Sequence, residues 1–125
     1  MRVLVCDDDA EVGTVIARLF ELDGWQAESV TSGPACLDAV RAGDLPDVVV
    51  LDQVMPEMTG TEVAQQLRDD GWDGPVVLCS AHLGKEVDAD VERLDLMTVS
   101  KIDLEALLRV CRRMLVPAGQ TAGSA

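Results

Sequence analysis

Residues 48–60 read VVVLDQVMPEMTG and contain the strongest strand signal in the chain. It begins with the apolar run VVVL at 48–51, which is typical of a strand covered on both faces of a sheet. Asp52 follows the run directly. Residues 59–62, TGTE, then form a capping box, whose threonine and glutamate side chains accept hydrogen bonds from backbone amides at a helix start. A buried strand, an acidic loop and a helix in this order indicate one β-α unit of an α/β protein.

The same alternation of apolar runs and helical segments continues on both sides of this unit. Apolar runs predict strands that begin near positions 3, 26, 48, 76 and 97. Apolar residues at helical spacing predict helices over about 11–22, 32–40, 59–67, 86–93 and 104–115. The run at 26–30 is half polar, which suits a strand at the edge of a sheet.

Strict alternation of strands and helices implies a mostly parallel sheet with helices on both faces. For five strands, this pattern predicts the flavodoxin-like (βα)5 doubly wound fold with strand order 2-1-3-4-5. Ligands of such folds bind outside the carboxyl ends of the strands, at the switch point between the first and third strands. We therefore expect the functional residues directly after the strands.

Composition describes a small acidic globular domain. The chain has 125 residues, of which 48% are apolar, and 10 Lys plus Arg against 23 Asp plus Glu give a net charge of −13. This charge repels nucleic-acid phosphates and anionic lipid, so we expect neither nucleic acid nor a membrane as a partner of this domain. No apolar run approaches the roughly 18 residues of a membrane span.

The cysteines and the N-terminal residues predict a cytoplasmic location. The four cysteines lie in apolar surroundings without CxxC spacing, which is typical of buried thiols in a reducing compartment rather than of disulfides or a zinc site. The first residues, MRVLVCDDD, become acidic too early for a signal peptide.

Residues 1–116 are expected to form the domain, and residues 117–125 a flexible tail or the start of a linker.

Charged and hydroxyl side chains stand where the predicted strands end. Asp7 and Asp8 follow the first strand and Asp52 the third. The fourth strand ends on Ser80, and Lys101 follows the fifth. Taken singly, each is most simply a solvated turn residue, a helix cap or a surface lysine.

Taken together, these residues predict a site for phosphoryl transfer. Three carboxylates at close range repel one another, and a bound cation relieves that repulsion. Oxygen ligands of this kind suit Mg²⁺, while a lysine and a hydroxyl can bind the oxygens of a tetrahedral anion. A metal, a carboxylate nucleophile, a lysine and a hydroxyl are the parts needed to transfer a phosphoryl group to an aspartate.

The segments that carry these residues resemble the receiver domain of bacterial two-component response regulators. VLVCDDD at 3–9, VVVLDQVMPEMTG at 48–60, VVLCSA at 76–81 and VSK at 99–101 match its acid pair, phosphoacceptor segment, switch segment and terminal lysine. The resemblance extends from about Arg2 to Leu115. It implies a regulatory phosphoacceptor rather than an enzyme, one that catalyses only its own phosphorylation and dephosphorylation.

The resemblance implies a role for each matching acidic position. Asp52 would accept the phosphoryl group from a histidine kinase or a phosphotransfer protein. Asp8, Asp52 and the main-chain carbonyl of Val54 would hold Mg²⁺, and Asp7 would act through metal-bound water. A downstream effector protein or domain would read the result, and the sequence leaves dimerisation open.

Further positions bear on switching. Ser80 and Lys101 would bind phosphoryl oxygens, and Ser80 would move inward as the switch. Thr98 stands where the family has an aromatic switch residue. Ile102 stands where the family usually has a proline after a cis peptide, and cis costs about 2.5–4 kcal/mol before other residues, so we expect a trans bond. His82 either tunes the lifetime of the acyl phosphate or is a solvated loop histidine.

Two other functions stay open at this point. A degenerate receiver would act as a phosphorylation-insensitive protein-interaction module, which the changes at positions 98 and 102 suggest and the intact acidic residues oppose. A flavodoxin-like enzyme for a small ligand would need a glycine-rich phosphate loop after the first strand, where this chain has DDD.

Overall fold

The computed structural model describes residues 1–43, 45–81 and 83–115. Within those residues the chain forms five strands, which are β1 (Arg2–Cys6), β2 (Gln26–Val30), β3 (Val48–Leu51), β4 (Val76–Ser80) and β5 (Met97–Ser100). The helices are α1 (Ala10–Leu22), α2 (Gly33–Arg41), α3 (Gly60–Asp69), α4 (Asp88–Arg93) and α5 (Leu104–Met114). The predicted tail at 117–125 lies outside the described residues.

All the strands are parallel and lie in the order β2-β1-β3-β4-β5. This confirms the flavodoxin-like (βα)5 fold. The half-polar β2 lies at one edge, as predicted, and β3, whose four residues are all buried, lies in the centre. Cys6 of β1 is paired with Leu51 of β3, so the residue after each strand lies at the same edge of the sheet.

The sheet divides the apolar core into two clusters because side chains alternate between the faces of each strand. One cluster, which includes Leu4 and Leu51, packs against residues of α2 and α3. The other, which includes Val5, Val50 and Phe20, packs against residues of α1 and α5. Burial of each such side chain stabilises the fold by roughly 1.5–3 kcal/mol.

All four cysteines are free and buried, as predicted. Cys6 and Cys36 belong to the cluster under α2 and α3, and Cys79 and Cys111 to the cluster under α1 and α5. Burial raises the pKa of the Cys79 thiol to about 11 and that of the Cys111 thiol to about 12. These thiols therefore pack as small apolar side chains.

The helix caps follow the sequence signals. Ser32 Oγ accepts a hydrogen bond from Ala35 N at 3.1 Å at the start of α2. At the start of α3, Thr59 Oγ1 accepts from Glu62 N and the Glu62 carboxylate accepts from Thr59 N, which is the predicted capping box. Among the described helices, none combines the length and apolar character that crossing a bilayer requires.

The segment predicted as one helix over 86–93 is divided in two. Lys85–Val87 form a single 3₁₀ turn, and the α-helical hydrogen bonding begins only at Asp88. No side chain caps either part, so nothing fixes a common helix start. The apolar contacts are those foreseen, because Val87 is buried and Val91 is half-buried against the core.

Candidate functional site

Backbone hydrogen bonds of the sheet hold Asp7 and Asp52 in place. Asp7 N donates a hydrogen bond to Val30 O at 3.1 Å, and Asp52 N donates to Cys6 O at 2.9 Å. The backbone hydrogen bonding of the sheet therefore extends one residue past β1 and β3 and holds both aspartates. Their exposed fractions are only 2% and 6%.

Three carboxylates meet at this edge of the sheet. One oxygen each of Asp7, Asp8 and Asp52 lies within 4.8 Å of the other two. Asp8 is exposed, whereas the other two residues are buried. The third acidic residue of the DDD run, Asp9, is instead the N-cap of α1 and accepts hydrogen bonds from Glu11 N and Val12 N.

Lys101 brings a cation into the carboxylate cluster. Its Nζ lies 2.7 Å from Asp7 Oδ2 and 3.3 Å from Asp52 Oδ2. Burial lowers the pKa of Lys101, but the hydrogen bonds and charges of Asp7 and Asp52 outweigh it, so the pKa is raised above its ordinary value. The ammonium is therefore protonated at neutral pH, and the four groups carry a formal charge of about −2.

The remaining predicted positions differ in how far they are exposed to solvent. Ser80, the last residue of β4, is buried, and its carbonyl accepts a hydrogen bond from Lys101 N at 3.1 Å. Thr98 lies in β5 and is exposed, and Ile102 is 89% exposed. The described residues contain no cis peptide bond, so the bond before Ile102 is trans, as expected. His82 lies outside the described residues.

The loop after Asp52 packs tightly against α3. The Val54 side chain is 66% exposed, so its side chain does not anchor the loop. A Cβ on Gly60 would lie 2.5 Å from Asp52 O and 2.9 Å from Leu78 Cδ2. Only a glycine lets α3 begin directly against the backbone of Asp52.

The contact between Gln53 and the start of α3 could not be predicted from the sequence. Gln53 Oε1 accepts a hydrogen bond from Thr61 N at 2.9 Å, and Gln53 Nε2 donates to Thr61 Oγ1 at 3.2 Å. The only signal in the sequence is a polar residue directly after Asp52, which is also common in solvated turns. The partner lies eight positions away, at a distance that only the loop conformation defines.

The arrangement suits a hard cation and a tetrahedral anion. Asp7 Oδ2 is buried and accepts no hydrogen bond of regular geometry from the described residues, although Lys101 Nζ is close to it. The donors are all oxygens, and the negative charge exceeds what one lysine can balance. Such a set favours Mg²⁺ over softer transition metals.

Comparison with known sequences identifies related regulators. The family model for the response regulator receiver domain matches residues 3–102. Response regulator MprA of Mycobacterium avium (strain 104) is 41% identical over 81 residues, which are 65% of this chain and 35% of that protein. MprA of Mycobacterium bovis (strain BCG / Pasteur 1173P2) is 40% identical with the same coverage. The chain thus spans about a third of the length of these relatives.

Solved structures share the fold. Response regulator TrrA from Thermotoga maritima, in complex with Mg(2+)-BeF, superposes with a TM-score of 0.81 at 24% identity and covers 91% of this chain and 98% of its own. Chemotaxis protein CheY4 from Vibrio cholerae gives a TM-score of 0.83 at 22% identity, with coverage of 91% and 98%. Since the family model also covers most of the sequence, this chain belongs to the response regulator receiver domain family.

Proposed function

We propose that this receiver domain accepts a phosphoryl group on Asp52 from a histidine kinase or phosphotransfer protein, with Mg²⁺ as its cofactor. The single observation that carries the proposal is the grouping of three carboxylate oxygens within 4.8 Å together with the Lys101 ammonium, at the carboxyl ends of the strands. The domain itself is regulatory, and any enzymatic activity is limited to its own phosphorylation and dephosphorylation.

Asp52 is the nucleophile in this proposal. It lies at the end of the central strand, is buried, and faces Lys101 rather than bulk solvent. One of its oxygens forms a bond to phosphorus while the phosphorus–nitrogen bond of the donor phosphohistidine breaks, and the imidazole nitrogen keeps the electron pair. The acyl phosphate carries more negative charge than the carboxylate that it replaces.

The surrounding side chains act on the phosphoryl oxygens. Lys101, which already contacts Asp52, can neutralise the charge that develops there without a long movement. Ser80, adjacent to Lys101 through the backbone, would donate its hydroxyl hydrogen to a phosphoryl oxygen and move inward. That movement would carry the signal to a face that a downstream effector protein or domain reads.

Asp8, Asp52 and the Val54 carbonyl would hold Mg²⁺, and Asp7 would act through a bound water. The fit rests on the all-oxygen donor set and on the buried Asp7 Oδ2 that lacks a regular hydrogen bond. Bound there, Mg²⁺ supplies positive charge that offsets the charge on the transferring phosphoryl group. TrrA, which shares this fold, was solved in complex with Mg(2+)-BeF.

Phosphorylation by acetyl phosphate tests the acceptor assignment. With Mg²⁺, the wild-type chain should gain the mass of one phosphoryl group, and Asp52→Asn should gain none. Asp38→Asn, an exposed position on α2, is the matched control and should label like the wild type. Equal labelling of wild type and Asp52→Asn would remove Asp52 from the role.

A second candidate is a protein-interaction module that does not respond to phosphorylation. The observations that favour it are the short, exposed Thr98 on β5 and the exposed Ile102 beside Lys101. In this case, the acidic site would bind Mg²⁺, but the partner-binding face would be the same with or without the phosphoryl group.

A further inference from the structure

We propose that Gln53 is a positioning residue for the acidic site, because its side chain fixes the loop that carries the Val54 carbonyl next to Asp52. This inference rests on the proposed function, in which that carbonyl is a ligand of Mg²⁺. It concerns a residue that touches neither the metal nor the phosphoryl group.

Three hydrogen bonds close the neck of the loop formed by residues 53–60. Gln53 O accepts from Gly60 N at 3.0 Å. Gln53 Oε1 accepts from Thr61 N at 2.9 Å, and Gln53 Nε2 donates to Thr61 Oγ1 at 3.2 Å. Gln53 therefore holds the start of α3 with both its backbone and its side chain.

The side chain of Gln53 satisfies a donor that α3 cannot satisfy itself. The first backbone N–H groups of a helix have no partner within the helix. Thr59 Oγ1 accepts from Glu62 N, which leaves Thr61 N without a partner inside the capping box. Thr61 is 8% exposed, so water is a poor substitute for the Gln53 side chain as the acceptor for this buried amide.

Glutamine suits this position because its amide carries a donor and an acceptor side by side. The acceptor faces Thr61 N and the donor faces Thr61 Oγ1, so the head group is held at two points. Thr61 Oγ1 also lies 3.2 Å from Thr59 Oγ1, which links the pair to the capping box. The connection between the loop and the helix is thus continuous.

Gln53 lies in sequence between Asp52 and Val54, and its anchoring affects the backbone of both. On one side, Asp52 O packs against Gly60 so closely that no Cβ fits there. On the other side, Val54 has an exposed side chain that cannot set the orientation of its own carbonyl. The first buried side chain beyond it is Met55, at 8% exposure. The direction of the Val54 carbonyl therefore depends on the anchors at Gln53 and Met55.

The substitution Gln53→Met tests the inference, since methionine keeps the length and approximate volume of glutamine but removes both hydrogen bonds. Gln66→Met is the matched control, because Gln66 is an exposed glutamine of α3, the helix whose start Gln53 holds. Two quantities should be measured on each chain. These are the Mg²⁺ dissociation constant by calorimetry and the exchange rate of the Thr61 amide in metal-free protein.

In Gln53→Met, the Thr61 amide should exchange faster and the Mg²⁺ dissociation constant should rise about tenfold, which is the usual effect of losing a residue that orients a ligand. Gln66→Met should leave both unchanged. Thr61→Val, which removes the hydroxyl but keeps Thr61 N, should raise the dissociation constant by a smaller factor. It also keeps the test decisive if Gln53→Met does not fold.

The opposite result would be an Mg²⁺ dissociation constant within twofold of wild type in Gln53→Met and in Thr61→Val, together with faster exchange of the Thr61 amide in Gln53→Met. It would show that the contact only supports α3. That result would overturn the inference and leave the proposed function intact. A wild-type chain that binds no Mg²⁺ would instead contradict the proposed function, and the inference with it.

Discussion

Lys101 connects the parts of the acidic site, because its ammonium contacts both Asp7 and Asp52 while its backbone N–H donates to Ser80 O. It reaches these residues from the end of β5, at the far edge of the sheet from β2. Asp8 has no such ion pair among the described residues. Its charge is therefore the least compensated of the three carboxylates.

We expect Asp8→Asn to stabilise the metal-free protein while weakening Mg²⁺ binding. At roughly 5 Å in a water-like dielectric, each carboxylate pair repels by about 1 kcal/mol, and the exposure of Asp8 keeps the dielectric high. The unfolding free energy without metal should rise by about that amount, and less so at high salt.

Urea unfolding of wild type, Asp8→Asn and the exposed control Asp38→Asn measures this effect. Asp38→Asn should lie within about 0.5 kcal/mol of wild type, as surface substitutions usually do. If Asp8→Asn unfolds at a lower urea concentration than wild type in the absence of metal, repulsion does not dominate the pocket.

The buried thiols predict a loss of stability at alkaline pH. The pKa values of Cys79 and Cys111 are raised from 9.0 to about 11 and about 12, mainly by burial. Above about pH 9 the unfolded chain loses these protons while the folded chain retains them, so the equilibrium moves towards unfolding. The chain has no tyrosine that would titrate in the same range.

The urea midpoint should therefore fall between about pH 8 and about pH 10, below the ordinary lysine pKa of 10.5. The dependence should be shallower in Cys111→Ala. If wild type and Cys111→Ala lose stability with pH in the same way, burial does not raise the pKa of the Cys111 thiol as described.

Single residues also show where sequence reasoning stops. Asp7, Asp8 and Asp52 could be grouped from the sequence because the parallel sheet brings the strand ends together. The Gln53–Thr61 contact could not, since it depends on the loop conformation. The ion pair between Asp23 and Arg112 joins residues 89 positions apart, and charge patterns give no signal at that separation.

At the scale of elements, the strands and most helices follow directly from the sequence. Apolar runs and helical spacing place their ends within about two residues of the observed ones, because these patterns reflect which faces are buried. The exception is the segment around α4, where Val87 lies in the 3₁₀ turn, Leu94 follows the helix, and Val91 is the one residue of α4 itself that packs against the core. With so little apolar spacing and no cap, the sequence cannot indicate where the 3₁₀ turn gives way to α-helix.

Two helical glycines should respond to alanine in opposite ways. Gly60→Ala should destabilise the protein by about 1–3 kcal/mol, because the new Cβ would meet the backbone oxygen of Asp52 at 2.5 Å. Gly13→Ala in α1 should be neutral or stabilising by up to about 1 kcal/mol. Its Cβ would lie at ordinary contact distances of 3.6 and 3.7 Å from Ser29 and Asp7 side chains.

Denaturant unfolding of the two variants beside wild type measures this contrast. Equal effects would mean that helix propensity, rather than the space between α3 and β3, determines the outcome. A neutral Gly60→Ala would in addition show that α3 can move away from Asp52 without loss of stability.

At the scale of the whole molecule, the strand order links the acidic site to one side of the domain. Ser80 ends β4 at the site, and the chain continues from it to α4. The α4 helix has no fully buried residue and contacts the core through the half-buried Val91, and a helix packed so sparsely opens at low free energy. Coupling energies of about 1–3 kcal/mol are sufficient for regulation, so a small shift of this segment is enough to carry a signal. Thr98 is too short and too stiff at its first torsion to transmit a large side-chain rotation.

The most direct test of the account is amide hydrogen exchange with and without Mg²⁺ and beryllofluoride, which mimics the phosphoryl group on Asp52. We expect the change in protection to concentrate in residues 83–94 and to be absent in Ser80→Ala. A change centred on Thr98 and α5 instead would contradict the route through Ser80 and α4. No change outside the acidic site would contradict the account itself and favour an interaction module that is insensitive to phosphorylation.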